Sequence, residues 1–159
     1  MADAVRMNAR MAALGPPSIG APADGLAFDP RLAAILADGF VDLGACVVLA
    51  YDADSVAAAP IESYPDATGF EAFINHVHLD DELGLPAADP MVLVQAGRYA
   101  TELAGRLERG YPGEVFVLII GLGDSCTVRF HKLRPGERWI ADDLEGYENE
   151  AMMVVHVPE

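Results

Sequence analysis

Lysine is almost absent from this chain: its ten basic residues are nine arginines and one lysine, Lys132, against 25 acidic residues. Between Leu32 and Gly97 there is no basic residue at all, whereas eleven carboxylates lie in the same stretch. The formal net charge is −15. Such a field repels the phosphate backbone of nucleic acids and attracts cations or basic proteins. The charge pattern argues against nucleic acid as a partner and favours a basic protein; solubility alone is the plainer interpretation.

Long apolar runs are missing too. The longest, Cys46–Tyr51 and Val115–Ile120, have the length of strands, far short of the roughly 20 residues that cross a bilayer. The N-terminus carries Asp3, Arg6 and Arg10 and lacks the apolar segment of a signal peptide. We therefore expect no membrane association and a cytoplasmic location.

Cysteine occurs only twice, as Cys46 and Cys126, and both lie inside apolar runs. This placement predicts buried free thiols and not a disulfide framework. A disulfide or a structural metal is also not needed for folding, because 159 residues are enough for one ordinary domain with its own core.

The order of helix signals predicts one domain behind an N-terminal arm. Residues 1–25, rich in Ala, Gly and Pro, are predicted to form a flexible arm with a short helix over Ala2–Leu14, and residues 26–159 a single α+β domain. A capping Asp followed by Pro predicts two helix starts, at Asp29-Pro30 and Asp89-Pro90. A third is predicted by the capping box Thr68–Glu71.

Four apolar segments predict strands: Leu43–Tyr51, Glu114–Ile120, Cys126–Lys132 and Ala151–Val157. We expect a mixed four- to five-stranded sheet, packed by two or three helices, with a C-terminal antiparallel meander. The helical passage between the first two strands is long enough for a parallel right-handed crossover. Strict alternation of apolar and polar residues in Cys126–Lys132 predicts that one face of this strand, which includes His131, is exposed to solvent.

Histidines and acids cluster where the third predicted helix ends. In an extended chain His76, His78 and Asp80 share one face, as metal ligands often do. Imidazole and carboxylate together suit a divalent transition metal such as Zn²⁺, Mn²⁺ or Fe²⁺. The metal hypothesis gains if His131 and His156 approach His78. The other interpretation is a helix end, where histidines favour the helix dipole and the acids face water.

A basic segment follows the second hairpin strand. Residues 129–139 hold four of the ten basic residues and the only tryptophan, and Trp and Arg are enriched at interface hot spots. We predict that this segment contacts a partner or closes a homodimer against acidic residues. The predicted partner-binding residues are Asp80, Asp81, Glu82, Arg134, Arg138 and Trp139. The alternative is a hairpin that places Trp139 in the core.

The main functional prediction is a non-enzymatic acidic binding protein whose loops Asp52–Asp66 and Asp80–Asp89 dock a basic partner. Immunity-type inhibitors of basic toxins act in this way, and the comparison rests on charge alone. Two alternatives remain open: a metal-dependent hydrolase or metal-binding protein that uses His76, His78 and Asp80, and a homodimeric structural protein.

Overall fold

Within the residues that the structure describes, the chain forms a five-stranded sheet, a separate two-stranded hairpin and five α-helices. The computed structural model describes residues 4–20, 26–52 and 61–158. The strands are β1 (Val5–Met7), β2 (Phe40–Leu43), β3 (Cys46–Leu49), β4 (Val77–His78), β5 (Phe116–Leu122), β6 (Cys126–Lys132) and β7 (Ala151–Val157). The helices are α1 (Ala9–Leu14), α2 (Pro30–Ala37), α3 (Ala67–Ile74), α4 (Leu79–Leu83) and α5 (Pro90–Gly110). Short 3₁₀ turns span Ala50–Asp52, Ile61–Ser63 and Leu144–Gly146.

The main sheet has the strand order β1-β7-β5-β6-β4. Strand β5 lies at its centre, paired with β6 in a hairpin and with β7 on its other side. The predicted α+β class and C-terminal meander are confirmed. Every pairing of the main sheet in the described part of the chain is antiparallel. The main sheet is therefore antiparallel and not the mixed sheet that we expected.

The first predicted strand does not join the main sheet, and the predicted parallel crossover is wrong. Within Leu43–Tyr51 only Cys46–Leu49 is strand, and it pairs with β2 through a turn at Gly44, whose φ of 61° suits glycine. The other edge of β3 is bonded by side chains of α3 and of its C-cap, Asn75. Glu71 accepts from the Val47 amide, and Asn75 accepts from the Leu49 amide and donates to the Val47 carbonyl. These side chains occupy the edge that a parallel neighbour needs.

Two helices begin as predicted, and the third begins earlier. Asp29 and Asp89 each cap a helix whose first residue is proline. The capping box at Thr68 is wrong: the cap of α3 is Asp66, which accepts from the Gly69 amide at 2.7 Å. Glu71 does not reach back to the helix start because it points into the protein, where it is fully buried.

Residues 4–20, which fall in the predicted arm, are built into the domain. Strand β1 pairs with β7, so the predicted helix over Ala2–Leu14 starts only at Ala9. Asn8, between strand and helix, is buried. Residues 1–3 and 21–25 of the arm lie outside the described residues.

The sheet has two covered faces. Its inner face packs against α2 and α5 in the main core, which contains Phe116, Phe130 and Tyr99. Its outer face carries a second cluster, in which Val117, Ile119, Met152 and Val154 pack against residues of the 133–150 segment, namely Ile140, Leu144 and Tyr147. The predicted wet face of β6 is therefore wrong for His131, which is only 3% exposed.

Both cysteines are buried and free, as predicted. Burial raises the pKa of Cys126 to about 12 and also raises that of Cys46, so both thiols stay protonated at neutral pH. Among the described residues, none of the helices has the length and apolar character needed to cross a bilayer.

Tyr99→Phe is expected to raise the free energy of unfolding by about 1 kcal/mol. The Tyr99 ring lies in the main core, and its hydroxyl is buried with no hydrogen-bond partner among the described residues. Removing a polar group whose burial is not compensated removes its desolvation cost. The midpoint of urea unfolding measures the change.

Tyr111→Phe is the matched control for this prediction. The Tyr111 hydroxyl donates to Asp42 Oδ1 at 2.8 Å, so its removal is expected to lower stability by about 0.5–1 kcal/mol. A loss for Tyr99→Phe as large as the loss for Tyr111→Phe would show that the Tyr99 hydroxyl has a partner, such as a buried water.

Candidate partner-binding site

A pocket of about 630 Å³ opens on the outer face of the main sheet. Val117 of β5 is one of its lining residues, and the register pairs it with His131 of β6 on one side and His156 of β7 on the other. All three side chains therefore line the pocket. Arg6 of β1 and the chain between Leu133 and Asp142 complete its walls.

His131 is held in one tautomer. Its Nδ1 lies 2.7 Å from the Lys132 carbonyl oxygen, and a carbonyl only accepts, so Nδ1 carries the proton. Burial lowers the pKa of His131, which keeps the ring neutral at pH 7. Nε2 is then the unprotonated nitrogen. It is buried and has no hydrogen-bond partner among the described residues.

The second imidazole of the pocket is neutral as well. Burial, together with the positive charge of Arg6, lowers the pKa of His156. The Arg6 guanidinium donates to the Asp142 carbonyl at 2.8 Å, which fixes it to the covering segment. The pocket is thus lined by two uncharged imidazoles.

The rim of the pocket is apolar and exposed. Leu133 is 48% exposed and Trp139 is 43% exposed. The guanidinium carbon of Arg129 lies 5.3 Å from the centre of the Trp139 ring, a cation–π contact that orients the indole. Arg138 and Asp142 form an exposed ion pair at 2.8 Å beside it.

The predicted basic segment is divided between the surface and the interior. Arg138 and Trp139 line the pocket, and their partner-binding role stays a prediction. Arg134 instead forms an ion pair with the buried Glu71 and donates to the Ala45 carbonyl at 2.8 Å. Its part in the structure is to join the 133–150 segment to α3 and the β2–β3 hairpin.

The predicted acidic residues are also divided. Asp80 accepts from the Ser125 hydroxyl at 2.7 Å and from the Cys126 amide at 2.9 Å. Burial raises the pKa of Asp80, but these two hydrogen bonds, together with one from its own backbone amide and the charge of His78, hold the pKa below its usual value. Asp81 is exposed and Glu82 is partly exposed, so both remain on the surface. Residues 53–60 of the predicted acidic loop Asp52–Asp66 lie outside the described residues.

The four histidines form two separate pairs. The rings of His76 and His78 are 4.9 Å apart, whereas His131 lies four residues along β6 from Thr127, the partner of His78, or roughly 13 Å away. The condition that favoured a shared metal site is therefore not met. No three His, Cys, Asp or Glu side chains in the described ranges are arranged to hold a metal ion. The use of His76, His78 and Asp80 as ligands stays a prediction.

The hydrogen-bonded side chains of His78, Ser125 and Asp80 are not arranged like a catalytic nucleophile and its general base. His78 Nδ1 lies 2.7 Å from Ser125 Oγ, and the same hydroxyl donates its proton to Asp80. Histidine here donates to serine, whereas a general base must accept the serine proton. The arrangement ties β4 and α4 to the start of β6.

Sequence reasoning missed the outer pocket. His131 and His156 are separated by 24 residues of acidic chain, and the alternation of β6 suggested solvent on that side. The available signal was the set of apolar residues within the acidic segment, at Ile140, Leu144 and Tyr147, which form the cover over the sheet.

The fold and the pocket together define a small α+β domain with a ligand-sized cavity on the outer face of an antiparallel sheet. The model of the Uncharacterized protein PM0498 family matches residues 7–159, and the chain belongs to that family. No curated protein and no solved structure matches the chain.

Proposed function

We propose that the protein is a non-enzymatic binding protein that docks a basic protein partner, as an immunity-type inhibitor does, with the outer pocket and its rim as the contact site. One observation carries the proposal: Leu133 and Trp139 remain nearly half exposed at the edge of a pocket, although the neighbouring Ile140 is buried. Exposed apolar side chains grouped at a cavity mark interaction sites.

The residue types at the rim support this use. Tryptophan and arginine are the side chains that most often carry binding energy at protein interfaces. Trp139 contacts Arg129 and follows Arg138 in the sequence. The Arg129 contact holds the indole in place, so a partner loses little entropy in ordering it.

The charge of the chain supports a basic partner. A net charge of −15 attracts a basic protein at long range and raises the rate of encounter, while the apolar rim supplies contact that salt does not screen. Asp81 and Glu82 are surface members of this acidic field. The proposal thus assigns attraction to the carboxylates and anchoring to Trp139.

Binding is expected to appear as a change in tryptophan emission, because Trp139 is the only tryptophan in the chain. The titrants are small basic proteins that contain no tryptophan. We expect at least one to shift the emission, with an affinity that falls as salt is raised. In calorimetry, Trp139→Ala should weaken that complex by about 30-fold, since hot-spot truncations cost ~2 kcal/mol or more.

Phe73→Ala is the matched control, because Phe73 is an exposed aromatic of similar exposure (47%) that does not line the pocket. It should leave the affinity nearly unchanged. The proposal fails if none of the basic proteins binds in a salt-dependent way, or if Phe73→Ala weakens the complex as much as Trp139→Ala.

A further inference from the structure

His131, one of the residues that line the outer pocket, carries a hydrogen-bond acceptor that the protein itself does not use. Four buried side-chain polar atoms lack a partner in the part of the chain that the structure describes: Arg98 Nε, Tyr99 Oη, Arg106 Nε and His131 Nε2. Of these residues only His131 lines the outer pocket. A buried polar atom without a partner is costly, so its presence at a binding pocket points to a partner supplied by the ligand.

The chemistry of Nε2 defines what that partner must offer. Because the Nδ1 proton of His131 is directed at the Lys132 carbonyl, Nε2 of the neutral ring has a lone pair and no proton. The ligand must therefore donate a hydrogen bond at this point.

The charged groups of the pocket already have hydrogen-bond partners within the protein. Arg6 donates to the Asp142 carbonyl, Arg138 pairs with the Asp142 carboxylate, and Glu137 accepts from the Thr68 amide at 3.1 Å. A charged ligand group entering here would lose its hydration and would have to displace one of these internal hydrogen bonds to reach a counter-charge. The group that fits is uncharged.

The apolar walls of the outer pocket fit a ligand group that is itself apolar and about as large as an aromatic ring. Val117 and Ile140 lie in the apolar cluster of the outer face, and Leu133 and Trp139 extend it to the rim. A volume of about 630 Å³ has room for an aromatic side chain. Among protein side chains, tyrosine combines a rigid apolar ring with one uncharged donor at its tip.

We propose that the outer pocket binds a tyrosine side chain of the basic partner, whose hydroxyl donates to Nε2 of His131. This inference rests on the proposed function and adds the identity of the anchoring residue. The acidic field selects the partner by its charge, and the pocket selects a partner that carries an exposed tyrosine at the matching position on the partner's surface.

Two short peptides test the inference. Both are acetylated, amidated pentapeptides with two lysines on each side of a central residue, which is tyrosine in one and phenylalanine in the other. We expect the tyrosine peptide to bind about tenfold more tightly by calorimetry, because phenylalanine leaves Nε2 without a donor. Raising the salt concentration should weaken the binding of both peptides but leave the preference for tyrosine in place, because the hydrogen bond is sheltered from solvent.

Two substitutions of His131 separate the acceptor from the fold. In His131→Asn the side-chain amide occupies the region of Nδ1, where it can still donate to the Lys132 carbonyl, but nothing reaches the position of Nε2. In His131→Gln the amide oxygen can reach that position. The preference for tyrosine should vanish in the first variant and persist in part in the second, with both variants folded by circular dichroism.

The outcomes of the two proposals differ. Equal binding of the tyrosine and phenylalanine peptides by the unaltered protein overturns the tyrosine inference, as does a preference that survives His131→Asn. If the tyrosine inference is overturned in this way but both peptides bind in a salt-dependent manner, the proposed function still stands. No binding of the tyrosine peptide at millimolar concentration overturns the inference, and the panel of basic proteins then decides the proposed function by itself.

Discussion

Replacing Glu71 by alanine is expected to lower the free energy of unfolding by about 3–5 kcal/mol, the largest effect that we expect of a single polar substitution in this protein. Glu71 is fully buried on α3 and forms an ion pair with Arg134. Its two carboxylate oxygens also accept from backbone amides, Lys132 at 2.7 Å and Val47 at 3.4 Å.

The size of this loss follows from what is left behind. Without the carboxylate, the guanidinium of Arg134, whose side chain is 13% exposed, keeps its charge in a dry environment with no counter-charge. The amides of Lys132 and Val47 belong to the edges of two different strands, and both lose an acceptor. Breaking a buried pair on one side costs more than the pair itself contributes, because the remaining charge stays desolvated.

Denaturant unfolding checks this prediction, with the exposed pair Arg138–Asp142 as the control. Arg138→Ala should change stability by less than about 1 kcal/mol, because solvent screens that pair. The loss of stability in Glu71→Gln should lie between those of Glu71→Ala and Arg138→Ala, since glutamine removes the charge but keeps an acceptor. A loss below about 1 kcal/mol for Glu71→Ala would mean that the Arg134 side chain finds solvent when the pair is broken.

Asn8→Ala is expected to cost about 2–4 kcal/mol, which is more than the loss of an ordinary helix cap. Its Oδ1 caps α1 by accepting from Met11 at 3.1 Å and also accepts from the Met152 amide of β7 at 3.0 Å. Its Nδ2 donates to the carbonyls of Glu150 at 2.8 Å and Leu144 at 3.3 Å. One buried amide therefore joins α1, β7 and the segment that covers the outer face.

Asp89→Ala is the comparison for a cap alone, because Asp89 accepts from the Met91 amide at the exposed start of α5. It should cost about 1 kcal/mol. Asn8→Ser keeps a capping acceptor and loses the amide donor without adding a charge, so its loss of stability should fall between those of the other two variants. If Asn8→Ala costs no more than Asp89→Ala, the bonds to the covering segment contribute nothing to stability.

Local chemistry allowed part of the fold to be predicted. Asp-Pro pairs at Asp29 and Asp89 predicted two helix starts, because a side-chain acceptor and a fixed φ act within one turn of chain. Alternation and the glycine-rich turn after Ile120 predicted the hairpin of the meander for the same reason. At Thr68 this kind of reasoning was wrong, because the local capping pattern competed with a distant arginine for the same carboxylate.

The candidate site was predicted only at its rim. Trp139 and Arg138 were identified by residue type alone, whereas His131 was assigned to solvent. Its burial depends on Ile140 and Leu144 folding back over the sheet, and alternation within one strand carries no information about a later cover. Asp80 and Arg134 were chosen for their charge, and in the structure each holds separate parts of the chain together; their partner-binding role stays a prediction.

By itself the sequence determined the acidic charge, the buried free thiols, the α+β class and the meander, because these follow from composition and from contacts between near neighbours. Only the tertiary structure decided that β3 stays outside the main sheet, that Glu71 and Asn75 close its edge, and that His131 and His156 face one pocket. Glu71 and Arg134 are 63 residues apart, and Asn8 and Glu150 are 142 apart. Contacts at such separations depend on how the whole chain packs, and no local pattern of residues specifies them.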